Sequence, residues 1–213
     1  MLGENKCGIG FGVGHEPLPA IFAARQCRIL ATEKADNSDG RWLLQWPDSR
    51  EALVYPEICR DHLFSSNVEF QHVDMNQISD GISGYDFAWS CSSLEHLGSL
   101  QHSVTFLLRQ MNCLKPGGWA VHTTEFNLFS DQNTITYGNT VLFRKKDIAE
   151  LETELKLHGH HLESVDFMLG DQMEDWFVAH EPYADTTKNL AHLRILVGRY
   201  LCTSMLLIIR KGM

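Results

Sequence analysis

The sequence predicts an α/β fold: a doubly wound, mostly parallel, Rossmann-like sheet of seven strands that ends in an antiparallel hairpin. Short apolar runs alternate with stretches of helical periodicity along the chain, which is typical of right-handed βαβ units. The chain has 213 residues, of which 44% are hydrophobic, and this is enough for one domain with a substantial core. We therefore expect residues 1–213 to form a single domain.

Each predicted element rests on the period of its apolar residues. The predicted strands are 6–14 (which passes into a glycine-rich turn), 27–32, 68–73, 85–90, 119–124, 164–169 and 205–210. The predicted helices are 18–25, 56–64, 94–113 and 146–158. The third helix has the clearest pattern, because apolar residues from Leu97 to Met111 recur on one face. Residues 37–48 are polar and predict a loop or a helix start, and Lys-Pro-Gly-Gly at 115–118 predicts a sharp turn.

The charge of the chain argues against partners that carry phosphate. Asp and Glu total 27 against 18 Lys and Arg, which gives a formal net charge of −9. A field of that sign repels nucleic acid and anionic lipid, so neither partner is expected. The apolar runs are too short to cross a bilayer, so no membrane span is expected either.

Cysteine usage predicts a reducing compartment. The six cysteines are scattered without a C-x-x-C pair, and several stand inside apolar runs. We therefore expect reduced core thiols in a cytoplasmic protein, with neither disulfides nor zinc. The N-terminus lacks the basic and apolar stretch of a signal peptide, which agrees with that location. The histidines of 158–161 lack the spacing of a helical metal pair, so they predict a solvated turn and no metal site.

Four alternating glycines, Gly8, Gly10, Gly12 and Gly14, belong to the first predicted strand and its turn. Because glycine has no Cβ, such a segment lets its backbone approach a ligand closely. The segment lacks the Gly-Lys-Ser/Thr ending of a phosphate-binding P-loop, and Glu16 beside it would repel a phosphate.

Two acids end the neighbouring predicted strands. Glu33 follows Gly14 by 19 residues, at a point where a carboxylate can accept both hydroxyl hydrogens of a ribose. Asp74 can accept a hydrogen bond from an adenine amino group, and Met75 can pack on a purine face. A helix N-cap or a turn explains Asp74 equally well. The glycine segment and Glu33 together predict a nucleoside site.

Two further motifs extend this pattern. Residues 85–90 read Tyr-Asp-Phe-Ala-Trp-Ser and are followed by Ser-Leu-Glu-His-Leu at 93–97, while 114–118 read Leu-Lys-Pro-Gly-Gly. With these motifs, the chain resembles the class I S-adenosylmethionine-dependent methyltransferases from about residue 6 to residue 124. The resemblance implies S-adenosylmethionine as cofactor, a cofactor-binding half at 1–125 and acceptor elements at 126–213. The cofactor contacts that it implies are Gly8, Gly10, Gly12, Gly14, Glu16, Glu33, Asp74, Met75 and Ser90.

Two features depart from the family's pattern. The family usually carries an acid two residues before the first glycine of its G-x-G-x-G motif, where this chain has Gly8. Backbone carbonyls or Glu16 would then hold the ammonium group of the cofactor. The family also commonly has helices ahead of this motif that cover the cofactor, whereas only about nine residues precede the glycine loop here. We expect these helices to be missing, shortened, or replaced by a partner subunit in a homo-oligomer. The Gly-Phe-Gly-Val-Gly segment with its following Glu-Pro-Leu-Pro resembles a subgroup associated with glycan or small-metabolite biosynthesis.

Methyl transfer is an in-line displacement that needs mainly alignment, and a base helps when the nucleophile is a hydroxyl. The candidates for this base lie where the fourth and fifth predicted strands end: Glu95, His96 and His122, with Thr123 and Glu125 beside them. Glu95 could instead be a first-turn helix acid, and His96 could pack against the glycine segment.

Polar and aromatic residues at 126–144 and 171–183 suit a hydroxylated acceptor, although a structural lid explains them too. The sequence thus predicts methyl transfer to an oxygen, or a nitrogen, of a small polar metabolite or sugar. An NAD-dependent oxidoreductase shares the glycines and the acid but leaves the Leu-Lys-Pro-Gly-Gly turn unexplained. A non-catalytic, methyltransferase-like binding module is the third interpretation.

Overall fold

A computed structural model describes residues 3–35, 47–179 and 193–213. The strands are β1 (Cys7–Phe11), β2 (Arg28–Glu33), β3 (Val68–His72), β4 (Tyr85–Ser90), β5 (Leu114–Asn127), β6 (His161–Leu162), β7 (Val178–Ala179), β8 (Arg194–Val197) and β9 (Tyr200–Arg210). The α-helices are α1 (Leu18–Ala24), α2 (Asp61–Asn67), α3 (Leu100–Arg109) and α4 (Lys145–Leu157). One-turn 3₁₀ helices are Arg50–Leu53, Met75–Gln77, Leu94–His96, Gln110–Cys113 and Met173–Trp176.

All the described strands join one sheet in the order β3-β2-β1-β4-β5-β9-β8-β7, with β6 also paired to β9. Strands β1 to β5 pair in parallel, whereas β9 runs antiparallel to β5, β6 and β8. This arrangement confirms the predicted fold class: six of the seven predicted strands form, and β6, β7 and β8 are short additional strands among the described residues. The chain direction along the sheet reverses at β1, where β2 lies on one side and β4 on the other. In such sheets a ligand site lies at the carboxyl ends of the strands, beside this switch point.

Helices cover both faces of the sheet. On one face, α3 and α4 bury a core that includes Phe106, Leu151 and Ile209. On the other face, α1 and α2 pack over β1 to β3 and bury Ala23 and Phe64. No helix within the described ranges is long and apolar enough to cross a membrane.

Three predicted elements differ from the structure. Residues 164–169 form no strand; within them Asp166 accepts a hydrogen bond from the backbone N–H of Met168 (2.8 Å), and β6 forms just before them. The predicted helix 94–113 is interrupted at Gly98 (φ 94°), and α3 starts after Ser99, which caps it. The predicted helix 56–64 is displaced to α2.

The predicted turn at 115–118 is a bulge inside β5. Between two paired positions, β4 advances from Tyr85 to Phe87 while β5 advances from Leu114 to Trp119. Gly117 takes up the extra residues at φ 74°, a conformation that suits glycine. Most of the predicted loop at 37–48 lies outside the described residues.

Candidate functional site

The ends of β1 and β2 meet at the glycine-rich turn. Gly12 (φ 59°) and Gly14 (φ 49°) both adopt left-handed backbone conformations. The backbone N–H of Gly14 donates to Glu33 Oε2 (3.0 Å), and that of Lys34 donates to Oε1 (2.9 Å). Glu33 is only 5% exposed, and this burial raises its pKa, while the two N–H donors oppose the increase. The structure thus brings Glu33 against the glycine turn and leaves each carboxylate oxygen capacity for another donor.

The chain after β3 lies beside this turn. Asp74 Oδ1 accepts a hydrogen bond from the backbone N–H of Asn76 (2.8 Å), so Asp74 is indeed an N-cap, the alternative that the sequence left open. Met75 is buried, and its sulfur lies 3.3 Å from the position that a Cβ on Gly12 would occupy. The hydroxyl of Ser93 donates to the carbonyl of Gly12 (2.9 Å) and closes the other side of the turn.

Gly8 and Gly10 differ from the other two glycines in what surrounds them. Both lie within β1, under aromatic rings of the neighbouring β4. A Cβ on Gly8 would lie 2.3 Å from the Phe87 ring, and one on Gly10 would lie 2.4 Å from the Trp89 ring. The absence of a Cβ here makes room for these rings. The Phe87 ring also occupies the place that an acid at position 8 would need.

Glu16 follows the glycine turn and points toward β4. Its Oε1 accepts a hydrogen bond from the indole N–H of Trp89 (2.5 Å). Burial raises the pKa of Glu16, and the nearby charge of Glu33 raises it further. Trp89 was not predicted as a site residue. The observation that identifies it is the β1–β4 register, in which Trp89 pairs with Gly10.

Two carboxyl groups lie together at the carboxyl ends of β4 and β5. Glu95 is 2% exposed and accepts a hydrogen bond from the Thr124 hydroxyl (3.1 Å). Burial raises the pKa of Glu95 to about 7. Burial and the charge of Glu95 raise the pKa of Glu125 to about 7 as well. Glu125 Oε2 has no hydrogen-bond partner among the described residues.

The two histidines predicted as base candidates occupy different environments. His122 is fully buried between Ser90, whose hydroxyl is 2.8 Å from Nδ1, and the edge of the Phe106 ring. Burial lowers the pKa of His122 to about 3, so it is neutral and belongs to the core on the α3 side. That position does not suit a base that must meet a bound acceptor. His96 is exposed, and its Nδ1 lies 2.7 Å from the carbonyl oxygen of Asn139.

Carboxyl groups outnumber cations at this edge of the sheet. Glu16, Glu33, Asp74, Glu95 and Glu125 all stand there, and only Asp74 forms an ion pair with a lysine (3.7 Å) in the described part of the chain. Histidines also lie near Glu33 and Glu125. This excess of acid favours a cationic ligand and disfavours one that carries phosphate.

Of the two segments predicted to contact the acceptor, the structure describes the first completely and the second in part. In residues 128–144, Val141, Leu142 and Phe143 are fully buried, so this segment packs down on the end of β5. Asn127 anchors it by accepting hydrogen bonds from the backbone N–H groups of Phe129 and Ser130. Of the predicted segment 171–183, residues 180–183 lie outside the described residues.

Comparisons with known proteins place the fold. No family model and no curated protein matches the chain. Among solved structures, a methyltransferase from Methanosarcina mazei described as S-adenosylmethionine-dependent is 13% identical over 100% of this chain and 95% of its own, with a TM-score of 0.59. The 1,6-didemethyltoxoflavin-N1-methyltransferase of Burkholderia thailandensis, bound to 1,6-didemethyltoxoflavin and S-adenosylhomocysteine, is 15% identical over 99% of this chain and 72% of its own, with a TM-score of 0.57.

An O-methyltransferase family protein from the same organism is 15% identical, with a TM-score of 0.55. The similarity covers 97% of this chain and 51% of that protein, so the chain spans about half of its length. At these identities the likeness establishes a common fold.

Proposed function

We propose that this chain, which has the fold of the class I S-adenosylmethionine-dependent methyltransferases, transfers a methyl group from S-adenosylmethionine to an oxygen or nitrogen of a small molecule. One observation carries the proposal: Glu33 and Asp74 lie beside the Gly12–Gly14 turn at an edge where carboxyl groups are in excess. Glu33 can accept hydrogen bonds from the ribose hydroxyls of the cofactor, and Asp74 can accept one from its adenine amino group. The positive sulfonium and ammonium groups of the cofactor suit the negative charge of this edge.

The residues at this edge fit the cofactor. Glu33 retains acceptor capacity for the ribose hydroxyls, and Asp74 retains it for the adenine amino group. Met75 lies against Gly12, with its sulfur 3.3 Å from the position that a Cβ on Gly12 would occupy, so a thioether that can pack on a purine face stands beside the turn. Glu16 is a half-buried carboxylate whose raised pKa a bound ammonium group would lower again. Glu16 therefore takes the role of the acid that is absent at position 8.

The bound cofactor supplies an electrophilic methyl group on sulfur, and the protein aligns the acceptor with it. Glu125 is the better placed base, because it is less buried than Glu95 and its pKa of about 7 lies near neutral pH. Glu125 would accept the O–H or N–H proton of the acceptor, while Glu33, Asp74 and Glu16 would hold S-adenosylmethionine, which would supply the methyl group. Glu95 is a positioning residue here, since its charge raises the pKa of Glu125.

The acceptor is a small molecule. The solved methyltransferase that binds 1,6-didemethyltoxoflavin supports this class of acceptor, and the net charge of −9 disfavours nucleic acid. The proposed acceptor class includes sugars and polar metabolites, as the sequence predicts.

We also propose a homo-oligomeric state, which light scattering measures. A cytoplasmic location is proposed as well, and the six free thiols are compatible with it.

Calorimetry with S-adenosylhomocysteine tests the cofactor site. We expect saturable binding that Glu33→Ala weakens by about 1–3 kcal/mol, roughly 5- to 150-fold, because the ribose hydroxyls lose their acceptor. The matched control is Glu69→Ala, which removes an exposed carboxylate from β3 and should leave affinity unchanged. Equal affinity in both variants, or binding of NADH in place of the adenosyl ligand, contradicts the proposal. Cofactor binding without turnover on any acceptor would favour the non-catalytic module.

A further inference from the structure

The α1 face of the sheet carries an apolar groove that the helices leave open. On this face Phe22 of α1 reaches the rings of Phe87 and Trp89 on β4, but no helix of the described ranges covers the first half of β5. Trp119 and Val121 point out from β5 and are 39% and 37% exposed. The cavity beside them has a volume of about 660 Å³, within the usual range for small-molecule sites.

Aromatic rings form the wall opposite Trp119. Phe22 of α1 meets Phe87 and Trp89 edge-on, with ring centroids 5.1 and 4.9 Å apart, respectively. Phe87 and Trp89 lie in place over β1 only because Gly8 and Gly10 have no Cβ. Gly8 and Gly10 of the central strand therefore allow the aromatic rings that line this groove to take their positions.

The groove runs from one end of β4 to the other. It begins at Asp86, at the amino end of the strand, and reaches Cys91 just beyond the carboxyl end. Five residues of strand correspond to about 16 Å. Glu16, which holds the indole of Trp89, stands at the carboxyl end, so the groove opens at the proposed reaction edge.

The amino end of the groove is cationic, in contrast to the rest of the molecule. Lys6 and Lys115 both pair with the single carboxylate of Asp86, at 3.1 and 2.8 Å, and both remain 46% exposed. These two lysines lower the pKa of Asp86 to about 2, so it stays ionised and the cluster has a net charge of +1. Arg210 stacks over Trp119 nearby and adds another cation.

We propose that this groove binds the acceptor, and that the acceptor is an elongated apolar molecule with an anionic group at the end remote from the methylated atom. The inference deepens the proposed function and rests on it. The apolar body lies between Trp119 and Phe87, the anion meets Lys6 and Lys115, and the reacting hydroxyl or amine lies beyond Cys91.

Calorimetry with sub-micellar dodecanoate tests the groove, using dodecanol and dodecyltrimethylammonium as probes of the same chain with different heads. We expect one saturable site that prefers dodecanoate. Val121→Glu should weaken dodecanoate binding at least tenfold, whereas Leu157→Glu, the same change at an exposed residue on α4, should not. Lys115→Met, a surface change, should reduce binding of dodecanoate severalfold and leave dodecanol unaffected.

Three results would overturn the inference: no dodecanoate binding, equal binding of all three probes, or a wild-type dimer that Val121→Glu converts to a monomer. The dimer result would mean that a second copy covers the groove. S-adenosylhomocysteine affinity, measured on the same samples, shows that Val121→Glu is folded. Binding of S-adenosylhomocysteine without dodecanoate rejects the groove and leaves the proposed function standing. Dodecanoate binding without S-adenosylhomocysteine rejects the proposed function and, with it, the role of the groove as an acceptor site.

Discussion

Replacing Gly8 by alanine tests why glycine occupies the strand beneath the Phe87 ring. The new Cβ would lie 2.3 and 2.4 Å from two ring carbons, whereas carbon atoms in ordinary contact lie about 3.5–4 Å apart. The ring would have to move by more than about 1 Å. Phe22 and Trp89 pack against it, with ring centroids 5.1 and 5.9 Å away, and restrict that movement.

Overpacking of this kind costs about 1–3 kcal/mol. The reduced flexibility of the unfolded chain offsets about 0.4–1 kcal/mol of that. We therefore expect Gly8→Ala to lower the free energy of unfolding by about 1–2 kcal/mol and Tm by about 2–8 °C. Urea and thermal unfolding measure these changes. Adding Phe87→Leu should cost less in the Gly8→Ala background than in the wild type, by about 1 kcal/mol.

The control is Gly81→Ala, since a Cβ there would meet its nearest atom at 3.8 Å and should change stability by less than about 0.5 kcal/mol. Strictly additive effects of Gly8→Ala and Phe87→Leu would refute the packing argument. So would a Gly8→Ala protein that keeps its stability but loses S-adenosylhomocysteine affinity, because Gly8 would then contact the cofactor.

Three further changes test the buried polar groups. The pKa of Glu95 is raised from 4.5 to about 7, so the folded state binds its proton more tightly and loses stability as pH rises between those values; Glu95→Gln should flatten this loss in urea unfolding at pH 5 and pH 8. Ser90→Ala leaves Nδ1 of buried His122 without its partner and should lower the unfolding free energy by about 1–3 kcal/mol. Asp147→Asn removes the charge that pairs with buried Arg144 at 2.7 Å and should cost about 3 kcal/mol, measured in the same way.

Each of these changes has a matched control on the surface. Glu69→Gln should leave the pH dependence unchanged, and Ser65→Ala should leave stability unchanged, because both side chains are exposed. Glu152→Gln breaks the exposed pair with Lys156 and should cost less than about 0.5 kcal/mol. A variant that behaves like its control would show that the buried contact in question contributes nothing measurable.

The sequence predicts the parallel half of the sheet well, because its strands are apolar runs with polar ends. The predicted strand 85–90 coincides with β4, and Glu33 and Asp74, which follow the second and third strands, stand at one edge as expected. That placement follows from the rule that parallel strands share a carboxyl edge. The predicted helix 146–158 differs from α4 by one residue at each end.

Interactions between distant residues are what the sequence does not reveal. Nothing near Gly8 indicates the Phe87 ring above it, 79 positions later, so its glycine looked like part of a ligand-binding turn. Likewise, the strand register that makes His122 a core residue beside Phe106 depends on pairing across the sheet. The failed strand at 164–169 has an apolar sequence, but β6 takes the place beside β9 instead.

The pairing of β5 with β9 has a consequence for synthesis on the ribosome. Leu207 and Ile209 of β9 are fully buried in the core, yet they are made about 80 residues after β5 ends. At about 5–20 residues per second, the edge of β5 stays unpaired for roughly 4–16 s in the nascent chain. An unpaired edge of that length is a template for intermolecular strand addition. Chaperone capture during translation should therefore concentrate on the interval between the emergence of these two strands.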